Sequence, residues 1–177
     1  MPAVMPAVWL ITDARNDALL EGAIARLPRG SGLIFRHYHL TTPDRRARFA
    51  ALARLIHARG GLAVLAGPMA LARRWRADGA YGPPATIAAG PRGLRLITAH
   101  TLRELARARR ARADAVLLSP AFPTRSHPGA PALGPVRWRL LARRAAVPVI
   151  ALGGMDRARA RRIGADRWAA IDGLGPK

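Results

Sequence analysis

Short apolar runs recur along the whole chain, and each is followed by a stretch in which the apolar positions have a different spacing. Strands that are covered on both faces, as in a parallel sheet, are apolar at nearly every position. The runs have this character and carry few polar side chains. They predict eight strands, at residues 8–12, 32–36, 62–66, 78–81, 94–98, 115–118, 147–152 and 167–171.

The intervening stretches place apolar residues at helical spacing. The second of them begins with Thr42-Pro43-Asp44, a helix-start pattern with proline at the first helical position. In the first, Asn16 or Asp17 is the expected N-cap. Helices are predicted at residues 19–27, 42–59, 70–76, 101–112, 137–145 and 156–163, and the proline- and glycine-rich residues 83–93 are predicted to form a loop.

Eight strands that alternate with helices predict an α/β fold, a (β/α)8 or TIM barrel, formed as a single domain over residues 1–177. The barrel is shorter than the usual ~200 residues or more, and no helix is expected after the eighth strand. If the position of that helix is left as an exposed apolar surface, a partner subunit could cover it, which would favour a homo-oligomer. Barrel enzymes place their chemistry at the carboxyl ends of the strands. His100 lies at such an end, before a helix whose start is marked by Thr101 and Glu104 at capping-box spacing.

The chain is strongly basic, with 30 basic and 10 acidic residues and a net charge of +20. Such an excess suggests an anionic partner such as nucleic acid. However, every basic residue except Lys177 is an arginine, and the arginines alternate with alanine along predicted helices. This pattern is more typical of solvated helix faces, so nucleic-acid binding is the less favoured interpretation.

The absence of cysteine excludes disulfides and thiolate metal sites. No apolar run approaches the roughly 20 residues of a membrane span, and the N-terminus lacks the pattern of a secretory signal. A cytoplasmic protein without a membrane partner is therefore expected. His37, His39 and His127 do not predict a metal site, because no third ligand stands at a recognisable spacing from the first two.

Several segments, taken in order, resemble motifs of the thiamine phosphate synthase family, which includes the thiazole tautomerases of TenI type. ITAHT at residues 97–101 resembles the family's S-x-H-S/T, and ADAVLLSPAFPTRSHPGAPALG at 113–134 resembles ADYV-x-x-GPVFPT-x-S-x-PGAPPLG. VPVIALGGM at 147–155 resembles IPVIAIGGI, and IGADRWAAI at 163–171 resembles AGADGVAVI. The resemblance implies a TIM barrel that functions in thiamine biosynthesis.

The resemblance also implies a site at the mouth of the barrel. In the tautomerases the histidine of this motif, here His100, is the proposed general acid/base, a role that suits a group titrating near neutrality. Asp172 replaces a residue that is usually serine, and its charge should repel a phosphate. The residues that the resemblance implies for phosphate and substrate binding are Gly153, Gly154, Ile171, Asp172, Arg36, Thr98, Thr124 and Ser126. From the residues alone, His100 is better explained as a residue hydrogen-bonded within its own turn, and only the resemblance makes the catalytic role equally favoured. Gly153-Gly154 is otherwise a tight strand-to-helix turn, and the family match favours phosphate binding there. Taken one by one, Arg36, Thr98, Thr124 and Ser126 are better explained as loop-capping residues.

The family implies magnesium, but its ligands look absent from this sequence. The synthases carry an Asn-Asp pair after the third strand, where this chain has Ala66-Gly67, and a further aspartate in the next segment, where residues 78–84 read DGAYGPP. On strand two, their Gln, Arg and Lys correspond to Ile34, Arg36 and Tyr38. Magnesium in proteins is usually bound through one or two carboxylates. No firm cofactor is therefore predicted: magnesium is expected of the family, but no residue of this chain is assigned as its ligand.

Two activities follow from the resemblance. A synthase joins an aminopyrimidine pyrophosphate to a phosphorylated thiazole with the help of magnesium, whereas a tautomerase only moves protons on a thiazole carboxylate phosphate. The retained His100 and the missing carboxylates favour tautomerase-like or degenerate synthase activity. The expected ligand is a phosphorylated thiazole, with the aminopyrimidine pyrophosphate as a second candidate. A non-catalytic barrel that binds a phosphorylated ligand or another protein is the alternative.

Overall fold

Eight parallel strands, hydrogen-bonded in chain order, close into a barrel in which the last strand pairs with the first. This computed structural model describes residues 4–125, 129, 131–172 and 174, so that Ser126 and His127 lie outside the described residues. The predicted TIM barrel is confirmed. The strands are β1 Val8–Ile11, β2 Gly32–Phe35, β3 Leu62–Ala66, β4 Gly79–Gly82, β5 Leu94–Ala99, β6 Ala115–Leu118, β7 Val149–Ala151 and β8 Trp168–Ala170.

Helices follow every strand except β8, after which no helix lies among the described residues. They are α1 Leu20–Arg26, α2 Thr42–His57, α3 Met69–Arg74, α4 Pro84–Ile87, α5 Leu102–Arg110, α6 Gly134–Ala142 and α7 Arg157–Ile163. A 3-10 helix, Ala14–Leu19, leads into α1. None of the helices in the described part of the chain combines the length and the apolar character that crossing a bilayer requires.

Two local predictions are wrong. The element after β1 begins one turn earlier than expected, because Asp13, and not Asn16 or Asp17, is its N-cap. Asn16 is instead buried, and its Nδ2 donates to the carbonyl oxygens of Ile11 and Ile171, which joins the ends of β1 and β8. The predicted loop at residues 83–93 contains α4, since Pro84 favours the first helical position and Ile87 is fully buried.

The strand side chains alternate between two apolar layers. One set packs between the strands and the helices, and the other fills the inside of the barrel. Trp9 is a large residue of the inner set, and Gly32 on β2 makes room for it, because a Cβ at Gly32 would lie 2.1 Å from Trp9 Cε3. On β5 the inner set includes Leu94 and Leu96. With a period of two, Thr98 and then His100 follow at the mouth of the barrel.

Candidate active site

A cavity of about 770 Å³ opens at the carboxyl ends of the strands. Eight of the nine site residues predicted from the sequence line it, namely Arg36, Thr98, His100, Thr124, Gly153, Gly154, Ile171 and Asp172. The ninth, Ser126, lies outside the described residues. The cavity also includes residues that the sequence did not single out, of which Tyr81 and Arg159 bear most on its chemistry. Residues from six of the eight strand ends therefore meet in one place.

The His100 ring is oriented by the end of β6. Its Nδ1 lies 2.7 Å from the carbonyl oxygen of Ser119 and 3.3 Å from the Ser119 hydroxyl. Because a carbonyl can only accept, Nδ1 carries a hydrogen, and in the neutral ring Nε2 then carries the lone pair. Nε2 has no hydrogen-bond partner among the described residues. The ring is thus held in the tautomer that a general base requires.

The capping box predicted after β5 is present, except that the Glu104 carboxylate bonds to a different backbone N–H from the expected one. The Thr101 hydroxyl accepts from the backbone N–H of Glu104, and the Glu104 carboxylate reaches back to the backbone N–H of His100. The carboxylate therefore bonds one residue before the N-cap. As a result, the backbone of His100 is anchored from α5 while its ring is anchored from β6.

Gly153 and Gly154 form a turn that packs directly on the loop after β6. Both have positive φ, of 93° and 59°. A Cβ at Gly153 would lie 2.7 Å from Pro120 Cα, and one at Gly154 would lie 2.3 Å from the Pro123 carbonyl oxygen. The Gly153 carbonyl accepts from Phe122 N, whereas the backbone N–H groups of both glycines meet no acceptor among the described residues. The turn thus leaves two amide donors at the cavity wall.

Arg159, which the sequence did not single out, stands beside this turn. Its Nη1 donates to the Gly154 carbonyl oxygen at 2.5 Å, and its guanidinium lies 5.4 Å from the centroid of the Phe122 ring. Its Nε is 3.8 Å from the Asp156 carboxylate. The surrounding helix reads RARARRI, so that nothing in its sequence distinguishes Arg159 from its neighbours. Only packing on the glycine turn places this cation at the cavity.

Paired charges border the cavity between β8 and β2. Arg15 Nε lies 2.9 Å from Asp13 Oδ1, and Arg15 Nη1 lies 3.9 Å from the Asp172 carboxylate. Burial raises the pKa of Asp13, but hydrogen bonds and charge from Arg15, with the charge of Arg36, lower it further, so the net pKa lies below the usual value. Asp13 is therefore a carboxylate at neutral pH. The charge of Asp172, which was predicted to repel a phosphate, is partly offset by the nearby charge of Arg15.

A buried histidine, His37, is linked to the backbone of Arg36 through the Thr12 hydroxyl. The Thr12 hydroxyl accepts from the backbone N–H of Arg36 at 2.9 Å and contacts His37 Nδ1 at 2.7 Å. His37 Nε2 donates to the Asp17 carboxylate at 2.8 Å, so that Thr12 must donate to Nδ1. The His37 side chain is fully buried and stacks on Phe35. His37 is thus a structural group that links β1, β2 and the helix start.

Replacing His37 with Gln should remove part of the acid sensitivity of the fold. Burial lowers the pKa of the His37 imidazole more than the Asp17 carboxylate raises it, so the folded protein binds this proton at lower pH than the unfolded chain. The free energy of unfolding should therefore be unaffected by this group well above pH ~6.5 and fall as the pH drops through it, by up to about 1.4 kcal/mol per pH unit. Urea denaturation of both proteins between pH 8 and pH 5 measures this. If the free energy of unfolding fell equally steeply with decreasing pH in both proteins, His37 would not be the source of this acid sensitivity.

Asp78, the carboxylate next to β4, does not line the cavity. Asp78 precedes β4 at the opposite end of the barrel, where its Oδ2 lies 2.8 Å from His57 Nε2 and 2.7 Å from Ala63 N. At the carboxyl end of β3, the Ala66 carbonyl accepts from Arg45 Nη2 at 2.7 Å. Within the part of the chain that the structure describes, no three His, Asp or Glu side chains are grouped so that they could hold a metal ion. In the described part of the chain, the ends of β3 and β4 thus present no carboxylate to the cavity for a magnesium ion.

Comparison with known proteins agrees with the fold. A family model described as thiamine monophosphate synthase matches residues 8–174. A comparison with curated proteins finds no match.

Among solved structures, thiamine phosphate pyrophosphorylase from Pyrococcus furiosus has a TM-score of 0.80 and 22% identity, covering 96% of this chain and 88% of that one. The corresponding protein from Bacteroides thetaiotaomicron has a TM-score of 0.63 and 15% identity, with coverages of 94% and 83%. FabK from Thermotoga maritima has a TM-score of 0.71 and 16% identity, with coverages of 96% and 58%. At these identities the structural likeness concerns the fold alone.

Proposed function

Because the chain belongs to the thiamine monophosphate synthase family, we propose that it acts in thiamine biosynthesis and moves a proton on a phosphorylated thiazole. The observation that carries this proposal is the His100 imidazole, which lines the cavity with Nδ1 bonded to the Ser119 carbonyl and Nε2 left to exchange a proton. Proton transfer by a positioned imidazole contributes typically 10²–10⁴-fold to a rate.

The phosphate of the ligand binds at the glycine turn. The amide donors of Gly153 and Gly154 lack acceptors among the described residues, and an anion that accepts from them satisfies both. Arg159 adds a positive charge that is fixed on the same turn through the Gly154 carbonyl. Glycine is needed at both positions because a side chain would collide with the neighbouring loop. The two interpretations of Gly153-Gly154, a tight turn and a phosphate site, are therefore compatible.

His100 acts on the ring of the bound ligand. In the neutral form Nε2 removes a proton from one ring position, and the resulting imidazolium returns a proton to another. No bond between heavy atoms forms or breaks. The Ser119 carbonyl accepts from Nδ1–H in both forms of the ring and becomes a better partner when the ring is charged. The reaction therefore needs one titrating group and a fixed ligand.

The arrangement favours this reaction over the synthase reaction. Displacing pyrophosphate creates negative charge that magnesium neutralises in the family's synthases, and magnesium is usually held by carboxylates. Here Asp78 lies at the far end of the barrel, and the end of β3 presents a carbonyl that is bound to Arg45. The acidic residues that do line the cavity, Asp156 and Asp172, each lie within 4 Å of an arginine. The proposed reaction uses no metal.

Proton NMR in D₂O, with a phosphorylated thiazole as the ligand, tests the proposal. The protein should catalyse exchange of a ring proton for deuterium, and the rate should be the same with EDTA as with magnesium. In parallel, the ligand is mixed with an aminopyrimidine pyrophosphate and magnesium, and thiamine phosphate is measured. Formation of thiamine phosphate that stops with EDTA would show a synthase. Tight binding without either reaction would show a non-catalytic phosphate-binding barrel.

A further inference from the structure

A second cavity, of about 430 Å³, lies on the outer surface of the barrel. One wall is a face of α5, from Leu102 to Arg110, and the other is formed by Arg144 and Ala146, in the segment that joins α6 to β7. The cavity is open because α5 and α6 are in less close contact than α6 and α7. It shares no lining residue with the candidate active site. This cavity is referred to below as the α5 groove.

The α5 groove changes from apolar to basic along the helix. Leu102, Leu105 and Ala106 line its first half, and Arg109 and Arg110 line its second half. Leu105 is 7% exposed and forms part of the floor, whereas Leu102 is 56% exposed. With a rise of ~1.5 Å per residue, the distance along α5 from Leu102 to Arg110 is about 12 Å. An occupant therefore meets apolar side chains at one end and cations one to two helical turns further on.

The arginines of the groove have no anionic partner in the part of the chain that the structure describes. The guanidinium groups of Arg109, Arg110 and Arg144 make no hydrogen bond or ion pair with a described residue. The two carboxylates that flank α5 in the sequence, Glu104 and Asp114, accept from backbone N–H groups elsewhere. Three like charges thus meet at one end of the groove, and an anion placed among them would offset their repulsion.

We propose that the α5 groove binds an acidic amphipathic helix of a partner protein. The apolar side chains of that helix cover Leu102 and Leu105. Carboxylates one to two turns further along the same face pair with Arg109, Arg110 and Arg144. The groove runs along α5, as a site for a second helix packed beside it would. This inference concerns a different surface from the proposed function and does not depend on it.

Other occupants match the groove less well. Nucleic acid supplies phosphates for the arginines but nothing for Leu102 and Leu105, and a bilayer is too flat to reach the floor of a groove. A second copy of this chain would bring a further net charge of +20. An extended peptide would place backbone N–H and C=O groups against apolar side chains that offer no partner, whereas a helix satisfies most of these groups itself.

Fluorescence anisotropy with a designed peptide tests the groove. The probe is a labelled, end-capped helical peptide of alanine, glutamine, leucine and glutamate, with leucines at positions i and i+4 and glutamates at i+7, i+8 and i+11, which share one face. A scrambled peptide of the same composition distributes these residues around the helix. At about 0.15 M salt, which screens general charge attraction, the wild-type protein should bind the amphipathic peptide about tenfold more tightly than the scrambled one.

A pair of leucine variants locates the apolar half of the site. Leu102→Gln should weaken binding of the amphipathic peptide about fivefold or more, since the peptide buries this side chain. Leu140→Gln on α6 is the matched control, because Leu140 is 59% exposed but does not line the groove. It should change the affinity less than about twofold. Circular dichroism should show the same melting temperature for both variants, because both side chains are exposed and glutamine favours helix.

A pair of charge variants locates the basic half. Arg110→Gln combined with Arg144→Gln should weaken the amphipathic peptide about tenfold. Arg157→Gln combined with Arg161→Gln makes the same change of charge at exposed positions of α7, outside the groove, and should have less than about a twofold effect. Equal losses in the two double variants would mean that only the overall charge attracts the peptide, and the docking site would then be wrong.

The remaining outcomes also decide the proposal. Equal affinity of the wild-type protein for the amphipathic and scrambled peptides would overturn it, as would a wild-type affinity in Leu102→Gln. Phosphatidylglycerol vesicles and a DNA duplex are tested in parallel. If either bound in place of the peptide, and Leu102→Gln weakened that binding, the acidic helix would be the wrong occupant. A dimer in sedimentation that Leu102→Gln dissociates would assign the groove to a second copy and would overturn the proposal as well.

Discussion

The variant His100→Gln should catalyse ring-proton exchange about 10²–10⁴-fold more slowly than the wild-type protein. Glutamine can keep a hydrogen bond from its amide to the Ser119 carbonyl, so that the local structure is largely retained, but it cannot take up a proton near neutral pH. The loss should appear in kcat. The measurement is proton NMR in D₂O over a series of thiazole phosphate concentrations that reaches saturation, so that kcat and KM are obtained separately.

Binding provides the control for this variant. Because His100 is not part of the glycine turn, the affinity for thiazole phosphate should stay within about twofold of the wild-type value. A wild-type exchange rate in His100→Gln would contradict the role of the imidazole and would favour another proton carrier in the cavity. A parallel loss of affinity and rate would instead show that the substitution had disturbed the cavity as a whole.

The variant Gly154→Ala should lose both stability and phosphate binding. Alanine at φ 59° costs roughly 1–2 kcal/mol from the backbone alone. Its Cβ would also lie 2.3 Å from the Pro123 carbonyl oxygen, which belongs to the backbone and can move away only if the loop after β6 moves. Overpacking of this kind typically adds about 1–3 kcal/mol. The shifted turn should no longer present its amides, so calorimetry should detect little binding of thiazole phosphate.

Gly164→Ala is the matched control for the glycine turn. Gly164 has nearly the same backbone conformation, with φ 64°, at the end of α7, but a Cβ there would meet no atom within 4 Å. Its variant should therefore show the backbone cost alone and bind the phosphate normally. Urea denaturation of both variants gives the comparison. Equal losses of stability would mean that the loop after β6 yields easily, and the collision argument for Gly154 would then be wrong.

The order of elements in the barrel was predictable because each strand and helix has its own periodicity in the sequence. The eight apolar runs overlap the eight strands. Because the carboxyl ends of barrel strands form one rim, the sequence also predicted that His100, Gly153 and Gly154 lie close together, and all three line the cavity. The errors were local. Asp13 caps the first helical element and α4 forms within an expected loop, because a few residues of irregular sequence carry too weak a signal to locate such short elements.

The contents of the cavity depend on contacts between residues far apart in the chain. The tautomer of His100 is set by Ser119, 19 residues away, and the N–H groups of Gly153 and Gly154 are left without acceptors among the described residues in a turn that packs on Pro120 and Pro123. Arg159 is one of several similar arginines, and Tyr81 reads as an ordinary strand residue until β4 is placed with its ring inside the barrel. Periodic patterns carry local propensity and burial, which a single sequence records. Pairings across strands depend on where the closed barrel brings each side chain, and a single sequence contains no record of those distances.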